Sequence, residues 1–235
     1  MKFSVIIPAY NEEGSITASI KALLKQNVPR EDFEIVVVDN NSTDATGQNA
    51  LAAGADRVVK ETTKGTNFAR QRGVIESTGN ILAFLDADSE PPTDWLERIE
   101  KDLSLPGIAG ISGPYDYGLR GIRKSIGDFY EHKILPAMPS ILYFIFRRKA
   151  GVMIGGNFAV WRKTLEKIGG LPPLKFWGDD SATAMLISRR VGKVFFDPDL
   201  IIKSSPRRFE KHGLLFLTLK YAFVYFKTYF SPQFR

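Results

Sequence analysis

The sequence predicts an α/β fold in which a central, mostly parallel sheet is covered by helices on both faces. Two observations lead to this prediction. In the first hundred residues, short apolar runs rich in valine and isoleucine alternate with longer segments of helical spacing. No internal repeat or low-complexity stretch interrupts this alternation. Because strand–helix–strand units cross over with one handedness, a series of them builds a parallel sheet between two layers of helices.

Four strand–helix pairs are predicted in the first half of the chain. The strand segments are short and apolar, as buried parallel strands are. The helix segments carry cap-type residues or proline near their starts and, in two cases, glycine near their ends. In chain order, the pairs are FSVIIP (3–8) with EEGSITASIKALLKQ (12–26), FEIVVVDN (33–40) with STDATGQNALAAG (42–54), ADRVVKE (55–61) with TNFARQRGVIES (66–77), and NILAFLDAD (80–88) with PTDWLERIEKDL (92–103).

The second half of the chain is less regular. A strand followed by a Gly/Pro loop is predicted over 107–117, a strand and a helix over 156–170, a helix over 179–192 and a strand over 193–200. No convincing linker divides the chain, so residues 1–213 are interpreted as one domain. We expect a change of role within this domain at about residue 107, and we treat residues 214–235 as an apolar tail.

Composition excludes some classes of protein. The chain has 235 residues and no cysteine, which excludes a disulfide framework and a thiolate metal site. Its net charge of +6 favours an anionic partner such as a nucleotide or a phospholipid surface. No basic-helix or stacked-aromatic motif indicates nucleic acid. Residues 1–13 lack the features of a signal peptide, so we expect a cytoplasmic protein.

Two aspartates, Asp86 and Asp88, directly follow the apolar run ILAFL. Burying an unpaired carboxylate costs several kcal/mol, so this strand end should face a positive ligand. In parallel sheets, ligands bind at the carboxyl ends of the strands. Mg²⁺ and Mn²⁺ prefer oxygen ligands and often bridge carboxylates to substrate phosphates. The pair therefore indicates a metal–phosphate site, and its ordinary alternative is a pair of solvated turn residues.

Three further segments accompany this pair: PAYNEE (8–13), VVVDNNSTDAT (36–46) and KGTNFARQRG (64–73). In this order, and together with DAD (86–88), they resemble the family 2 glycosyltransferases, which have the Rossmann-like GT-A fold. The resemblance is close over about the first 100 residues and looser to about residue 210. It implies a nucleotide-binding half of about residues 1–106 and an acceptor half of about residues 107–213.

The resemblance implies a nucleotide pocket along the strand ends. Tyr10 would lie against the base, Glu12 would accept from ribose hydroxyls, and Asp39 would read the base edge. Asp88 would bind the metal, Mn²⁺ or Mg²⁺, most directly, and Asp86 would contact the ribose, or the metal through water. The segment DNNS at 39–42 departs mildly from the family's Asp-Asp-Gly-Ser. The full predicted nucleotide set is Pro8, Ala9, Tyr10, Glu12, Asp39, Arg70, Asp86, Ala87 and Asp88.

The resemblance also implies an inverting reaction with a carboxylate base at a helix start. The segment GDD ends in the acidic pair Asp179 and Asp180. Asp180 matches the family's base, but the register leaves Asp179 open as the alternative. Adjacent carboxylates raise each other's pKa, which suits a base that works near neutral pH. Gly156, Asn157 and Trp177 would line the site of the donor or acceptor sugar.

Two apolar stretches are unusual for an enzyme that stays in solution. Residues 134–146 are followed by RRK, and residues 214–230 contain Lys220 and Lys227 one heptad apart. This pattern favours an amphipathic helix lying in a membrane interface, at the inner face of the membrane. A helix that covers the core, or a dimer surface, remains the alternative.

The sequence thus predicts a metal-dependent, inverting glycosyltransferase that moves a sugar from a nucleotide-sugar, with a UDP-sugar preferred, to a hydroxyl of a glycan or a lipid-linked acceptor. One alternative is a polyprenyl-phosphate glycosyltransferase, whose phosphate acceptor needs no strong base. The apolar stretches favour that alternative and the acidic pair opposes it. Another is a nucleotide-sugar-binding protein without catalysis. The identity of the sugar, the linkage and the oligomeric state are left open.

Overall fold

The computed structural model describes residues 1–119, 121, 127, 129–174, 178–207, 210 and 213–234. The strands are β1 (Phe3–Ala9), β2 (Phe33–Asp39), β3 (Arg57–Lys60), β4 (Ile81–Leu85), β5 (Ser89–Glu90), β6 (Ile108–Ser112), β7 (Tyr115–Asp116), β8 (Asn157–Trp161), β9 (Lys193–Phe196) and β10 (Ile202–Ser204). The helices are α1 (Ile16–Leu23), α2 (Thr46–Ala53), α3 (Thr66–Glu76), α4 (Trp95–Leu103), α5 (Leu135–Phe146), α6 (Arg162–Ile168), α7 (Asp179–Arg190) and α8 (Leu214–Phe230).

Seven strands form the central sheet in the order β3-β2-β1-β4-β8-β6-β9. Strands β1, β2, β3 and β4 run parallel, and β6 pairs with β9 in parallel, which confirms the predicted fold class. Strand β8 is antiparallel to both of its neighbours, a reversal that the sequence analysis did not predict. Each predicted strand–helix pair of the first half is present; β1 extends one residue beyond its predicted end, and the other elements are shorter than expected.

A second sheet contains only β5, β10 and β7, in that order. Ser204 on β10 pairs with Ser89 on β5, and Ile202 pairs with Tyr115 on β7. The sheet therefore joins three distant parts of the chain beside the end of β4. Its strands are two or three residues long, too short to show hydrophobic periodicity, and the sequence analysis missed them.

The core lies on both faces of the central sheet because side chains alternate along each strand. On β1, Val5 and Ile7 pack in the cluster that contains residues of α1, α2 and α4. Ile6 faces the other way, into the cluster that contains residues of α5, α6, α7 and α8. Trp95 on α4 is fully buried and donates from Nε1 to Asn157 Oδ1, at 3.0 Å. This bond ties α4 to the start of β8.

The predicted tail begins with helix α8, whose inner face packs on the domain. Tyr225 and Tyr229 are buried and donate to the carbonyl oxygens of Gly151 and Arg148, at 3.1 and 3.0 Å. The core-covering interpretation therefore holds for this face of the helix. Among the described helices, none has both the length and the apolar character needed to cross a membrane.

Asp102 on α4 is a buried carboxyl that contributes to the pH dependence of stability. It is buried beside Asp197, and its Oδ2 atom has no hydrogen-bond partner among the described residues. Burial, and then the neighbouring carboxylate of Asp197, raises the pKa of Asp102 from 3.8 to about 6. The folded state therefore binds a proton on Asp102 more tightly than the unfolded chain does. The bound proton adds to the free energy of unfolding at low pH, and this contribution is lost as the pH rises through about 6.

We predict that Asp102→Asn stabilises the protein at pH 8 by about 1–3 kcal/mol, because the amide carries no charge to bury. Urea unfolding at pH 4 and at pH 8 measures the effect, and the gain should be much smaller at pH 4. Glu31→Gln, which removes an exposed carboxylate, is the control and should change little at either pH. An equal gain for Asp102→Asn at both pH values would contradict the assignment.

Candidate active site

The carboxyl ends of β1, β2 and β4 meet at one edge of the sheet. Ala9 pairs with Asp39, so the last residues of β1 and β2 are neighbours, and β4 lies on the other side of β1. Asp86 and Asp88 follow β4 directly. The predicted nucleotide residues from three separate segments are thus brought to one edge, as the topology of a parallel sheet requires.

The loops after β1 and β2 are joined by hydrogen bonds. The backbone N–H groups of Asn11 and Glu12 donate to Ser42 Oγ and Thr46 Oγ1, at 3.1 and 2.7 Å. Asp39 is nearly buried, and its Oδ1 accepts from the Ser42 N–H at 2.8 Å. Tyr10 remains 53% exposed at the rim of this edge. An aromatic face for a base and a carboxylate for its polar edge therefore stand on two linked loops.

Arg70 on α3 connects the end of β4 to the start of α7. Its guanidinium donates from Nη1 to Asp179 Oδ2 at 2.6 Å and from Nη2 to Asp86 Oδ1 at 3.1 Å. The side chain is only 5% exposed. Burial opposes its charge, but the carboxylates of Asp179 and Asp86 outweigh burial and raise the pKa of Arg70. Its Nε atom is buried without a partner among the described residues.

Asp86 is held from two further sides. Its Oδ2 accepts from the Tyr115 hydroxyl at 2.9 Å, and its backbone N–H donates to the Gly156 carbonyl at 3.4 Å. Burial, and then the charge of Asp86, raises the pKa of Tyr115 well above its ordinary value, so the hydroxyl remains a donor. A Cβ atom on Gly156 would lie 2.1 Å from Asp86 Cγ, so only glycine fits beside this carboxylate.

Asp88 and Glu12 face the guanidinium of Arg207. Arg207 Nη2 donates to Asp88 Oδ2 at 2.8 Å and to the Glu12 carboxylate at 2.8 and 2.9 Å. Burial, with the charges of Asp86 and Glu12, raises the pKa of Asp88, although the hydrogen bond from Arg207 lowers it. Arg207 itself is 56% exposed, so this cation lies at the mouth of the site.

The two residues of the acidic pair have different environments. Helix α7 begins at Asp179, after Gly178 in the left-handed conformation. Asp179 accepts from Arg70, whereas Asp180 Oδ1 accepts from the backbone N–H of Ser181 at 2.6 Å. Burial, and then the charge of Asp179, raises the pKa of Asp180 to about 6. Of the two, Asp180 has the carboxylate better suited to accept a proton near neutral pH.

No group of three or more His, Asp or Glu side chains within the described part of the chain forms a complete metal site. Asp86, Asp88 and Glu12 nevertheless lie at one edge, and the Arg207 guanidinium already contacts two of them. Carboxylate oxygens of this kind suit a hard divalent cation whose remaining ligands come from substrate phosphates.

Other predicted site residues have different outcomes. Ala9 and Ala87 are buried, so only their backbone can face a ligand. Asn157 is fully buried: it accepts from Trp95, and its Nδ2 donates to the carbonyls of Pro114 and Leu200 at 3.1 and 2.7 Å. The structure gives Asn157 this internal role in place of the sugar contact that we expected. Trp177 lies outside the described residues.

Two residues of the site, Tyr115 and Arg207, are absent from the predicted set of site residues. Tyr115 reaches Asp86 because β7 joins the small sheet, and Arg207 reaches Asp88 because β10 of that sheet pairs with β5. The basic segment SSPRRFEK (204–211) could have indicated a site role for Arg207. Its distance from the strand ends, however, depends on long-range strand pairing. No sequence pattern of this kind indicates a site role for Tyr115.

Comparisons with known proteins agree with this geometry. The family model described as Glycosyl transferase family 2 matches residues 4–169. YdaM, a probable glycosyltransferase of Bacillus subtilis, is 37% identical over 208 residues, which are 78% of this chain and 44% of YdaM. WfgD of Escherichia coli, a UDP-Glc:alpha-D-GlcNAc-diphosphoundecaprenol beta-1,3-glucosyltransferase, is 36% identical over 131 residues, which are 54% of this chain and 49% of WfgD.

A solved structure gives a similar result. The mannosyltransferase PcManGT from Pyrobaculum calidifontis, in complex with GDP-Man and Mn²⁺, has a TM-score of 0.67 at 28% identity. The alignment covers 87% of this chain and 56% of PcManGT. The chain spans less than half the length of both curated relatives. As its motifs predicted, the chain belongs to glycosyl transferase family 2 and has the GT-A fold.

Proposed function

We propose that this chain is an inverting glycosyltransferase domain that moves a sugar from a UDP-sugar to a hydroxyl of a glycan or a lipid-linked acceptor. The observation that carries the proposal is the position of Arg70 between Asp86 and Asp179. One buried side chain thereby joins the nucleotide-side carboxylates to the acidic pair. A donor held at β4 would have its anomeric carbon directed toward α7.

The donor side of the proposal uses the strand-end residues. Tyr10 stacks on the base, Asp39 accepts from its edge, and Glu12 faces the ribose. The name of WfgD specifies UDP-Glc, and PcManGT binds GDP-Man, so relatives of both nucleotide classes exist. The second oxygen of Asp39 can accept from the uracil N3–H while the first accepts from the Ser42 N–H, and the name of WfgD, which specifies UDP-Glc, leads us to prefer uridine.

Asp88 and Asp86 are the residues that would hold a divalent cation, Mn²⁺ or Mg²⁺. The presence of Mn²⁺ in the PcManGT complex supports a metal of this class. When bound, such a cation stabilises the negative charge that develops on the leaving diphosphate. Both carboxylate oxygens of Asp86 already accept hydrogen bonds, from Arg70 and Tyr115, so Asp88 is the more direct ligand.

Asp180 accepts the proton of the acceptor hydroxyl in this proposal. A base opposite the leaving group allows a single displacement, which inverts the anomeric centre, as it does in inverting hydrolases. Its raised pKa, about 6, leaves it ionised at neutral pH and still basic enough to take a proton. Asp179 serves to position Arg70.

The first prediction for this function concerns the nucleotide. Asp39→Asn keeps an acceptor for the Ser42 N–H but turns an NH₂ group toward the base. We expect a loss of about 1–3 kcal/mol in UDP affinity, because the uracil donor then meets another donor. Isothermal titration with UDP and with GDP measures it, and the preference for UDP should shrink. A wild-type protein that binds neither nucleotide would refute the proposed function.

The second prediction concerns the metal. Asp88→Asn should weaken UDP binding at least about tenfold in Mn²⁺ and much less in EDTA, because the lost ligand acts through the cation. Arg207→Gln is the matched control: it removes the partner of Asp88 but leaves the carboxylate, so metal-dependent binding should persist. If Asp88→Asn weakened binding equally with and without metal, Asp88 would have no metal role.

The third prediction concerns the base. Asp180→Asn should lower turnover by about 10² to 10⁴-fold and leave UDP affinity nearly unchanged. The wild-type rate should fall as the pH drops below about 6, where Asp180 becomes protonated. Slow hydrolysis of the UDP-sugar measures both effects before the acceptor is known, because water then takes the place of the acceptor hydroxyl. Near-normal turnover of Asp180→Asn would favour the phosphate-acceptor alternative.

A further inference from the structure

Helices α5 and α8 expose an unusually large apolar surface. On α5, Phe144 is 74% exposed, and on α8, Phe223 is 68% exposed. Helices of this apolar character are ordinarily buried in globular proteins. We define the apolar face by six exposed side chains of the two helices: Phe144, Phe146, Leu219, Phe223, Phe226 and Phe230.

The two helices are in contact near their C-terminal ends. The rings of Phe146 and Phe230 meet edge to face, with centroids 5.1 Å apart. On α8, Leu219, Phe223, Phe226 and Phe230 follow one another at intervals of three and four residues, which places them along a single stripe. The opposite side of α8 is packed on the domain through Tyr225 and Tyr229. The apolar face is therefore the outward side of a helix whose inner side is already occupied.

Cations lie beside the apolar rings of both helices. The Arg147 guanidinium lies over the Phe144 ring at 5.7 Å, and the Lys220 ammonium lies over the Phe216 ring at 5.8 Å. The sequences of 134–149 and 214–234 contain no aspartate or glutamate. Exposed aromatic rings flanked by lysine and arginine match the headgroup region of a bilayer, where rings lie at the acyl boundary and cations contact phosphates.

The apolar face is also held rigidly. Arg189, near the end of α7, donates to the carbonyl oxygens of Lys149, Tyr229 and Phe234. It thereby fixes both the segment after α5 and the end of α8 to the same helix. A surface that is ordered before it binds loses little conformational entropy on binding.

From these observations we infer that the apolar face docks the protein onto an anionic lipid bilayer, with α8 lying along its surface. A second copy of the chain is the less favourable occupant. In a symmetric dimer the same face would oppose itself, and residues 134–149 and 214–234, which contain lysine and arginine but no acidic residue, would offer no carboxylate across the interface. Anionic headgroups supply the complementary charge.

Docking also has a consequence for the acceptor. This consequence rests on the proposed function. Gly178, the residue before Asp179, packs against α8 so closely that a Cβ atom there would lie 2.7 Å from Val224 Cγ1. The docking helix thus packs against the residue that precedes α7, two positions before the proposed base. A lipid-linked acceptor held in the bilayer would reach this side of the site.

Sedimentation with lipid vesicles tests the docking. The 235-residue chain should sediment with phosphatidylcholine vesicles that contain about one third phosphatidylglycerol, and less with pure phosphatidylcholine or in high salt. Phe144→Glu and Phe223→Glu should each lower the bound fraction about tenfold. Ile75→Glu is the matched control, because Ile75 is 65% exposed on α3, away from the apolar face. It should bind like the wild type.

Three outcomes would overturn the proposal. The first is a wild type that stays in the supernatant at low salt, and the second is a loss of binding by Ile75→Glu as large as that by Phe223→Glu. A dimer in solution that Phe223→Glu converts to monomers, without vesicle binding by the wild type, would make a second copy the occupant. UDP titration of the same variants is an independent measurement. UDP binding by a variant shows that the variant is folded. If the wild type does not bind UDP, the proposed function is refuted, but the result of the vesicle experiment still stands.

Discussion

The ion-pair network of Arg70 is the interaction on which the site depends. A guanidinium cannot lose its charge on burial, so it must be paired, and its two carboxylate partners come from a strand end and a helix start. Removing one partner of such a buried network typically costs about 3–5 kcal/mol, because it leaves an uncompensated charge. Arg70 therefore couples the relative position of Asp86 and Asp179 to the stability of the domain. The distance between donor and base in the proposed reaction is determined by the same contacts.

The other arginine of the site has a different character. Arg207 is more than half exposed, whereas the side chains of its partners Glu12 and Asp88 are only 19% and 22% exposed. These carboxylates therefore need a compensating cation, and a divalent cation could replace the guanidinium in that role. The inner arginine thus maintains the geometry of the site, and the outer one balances the charge of its mouth. This division suits the proposed site, which would admit an anionic donor together with a metal.

Helix α7 joins the proposed active site to the apolar face. Its first turn carries the acidic pair, and Arg189 near its end holds the segment after α5 and the end of α8. The apolar face and the proposed base are therefore parts of one packed unit. If the apolar face contacts a bilayer, the position of Asp180 relative to the lipid follows from the packing of α7 on α8 and requires no separate hinge.

The sequence by itself determined the parallel half of the sheet, the family and the residues at the strand ends. These depend on local signals: apolar runs of strand length, and carboxylates that directly follow them, as Asp39 and Asp86 do. Only the tertiary structure decided the reversal of β8, the small sheet that brings Tyr115 to Asp86, and the internal role of Asn157. Each depends on pairing or packing between residues far apart in the chain, and no local pattern of residues encodes such partners.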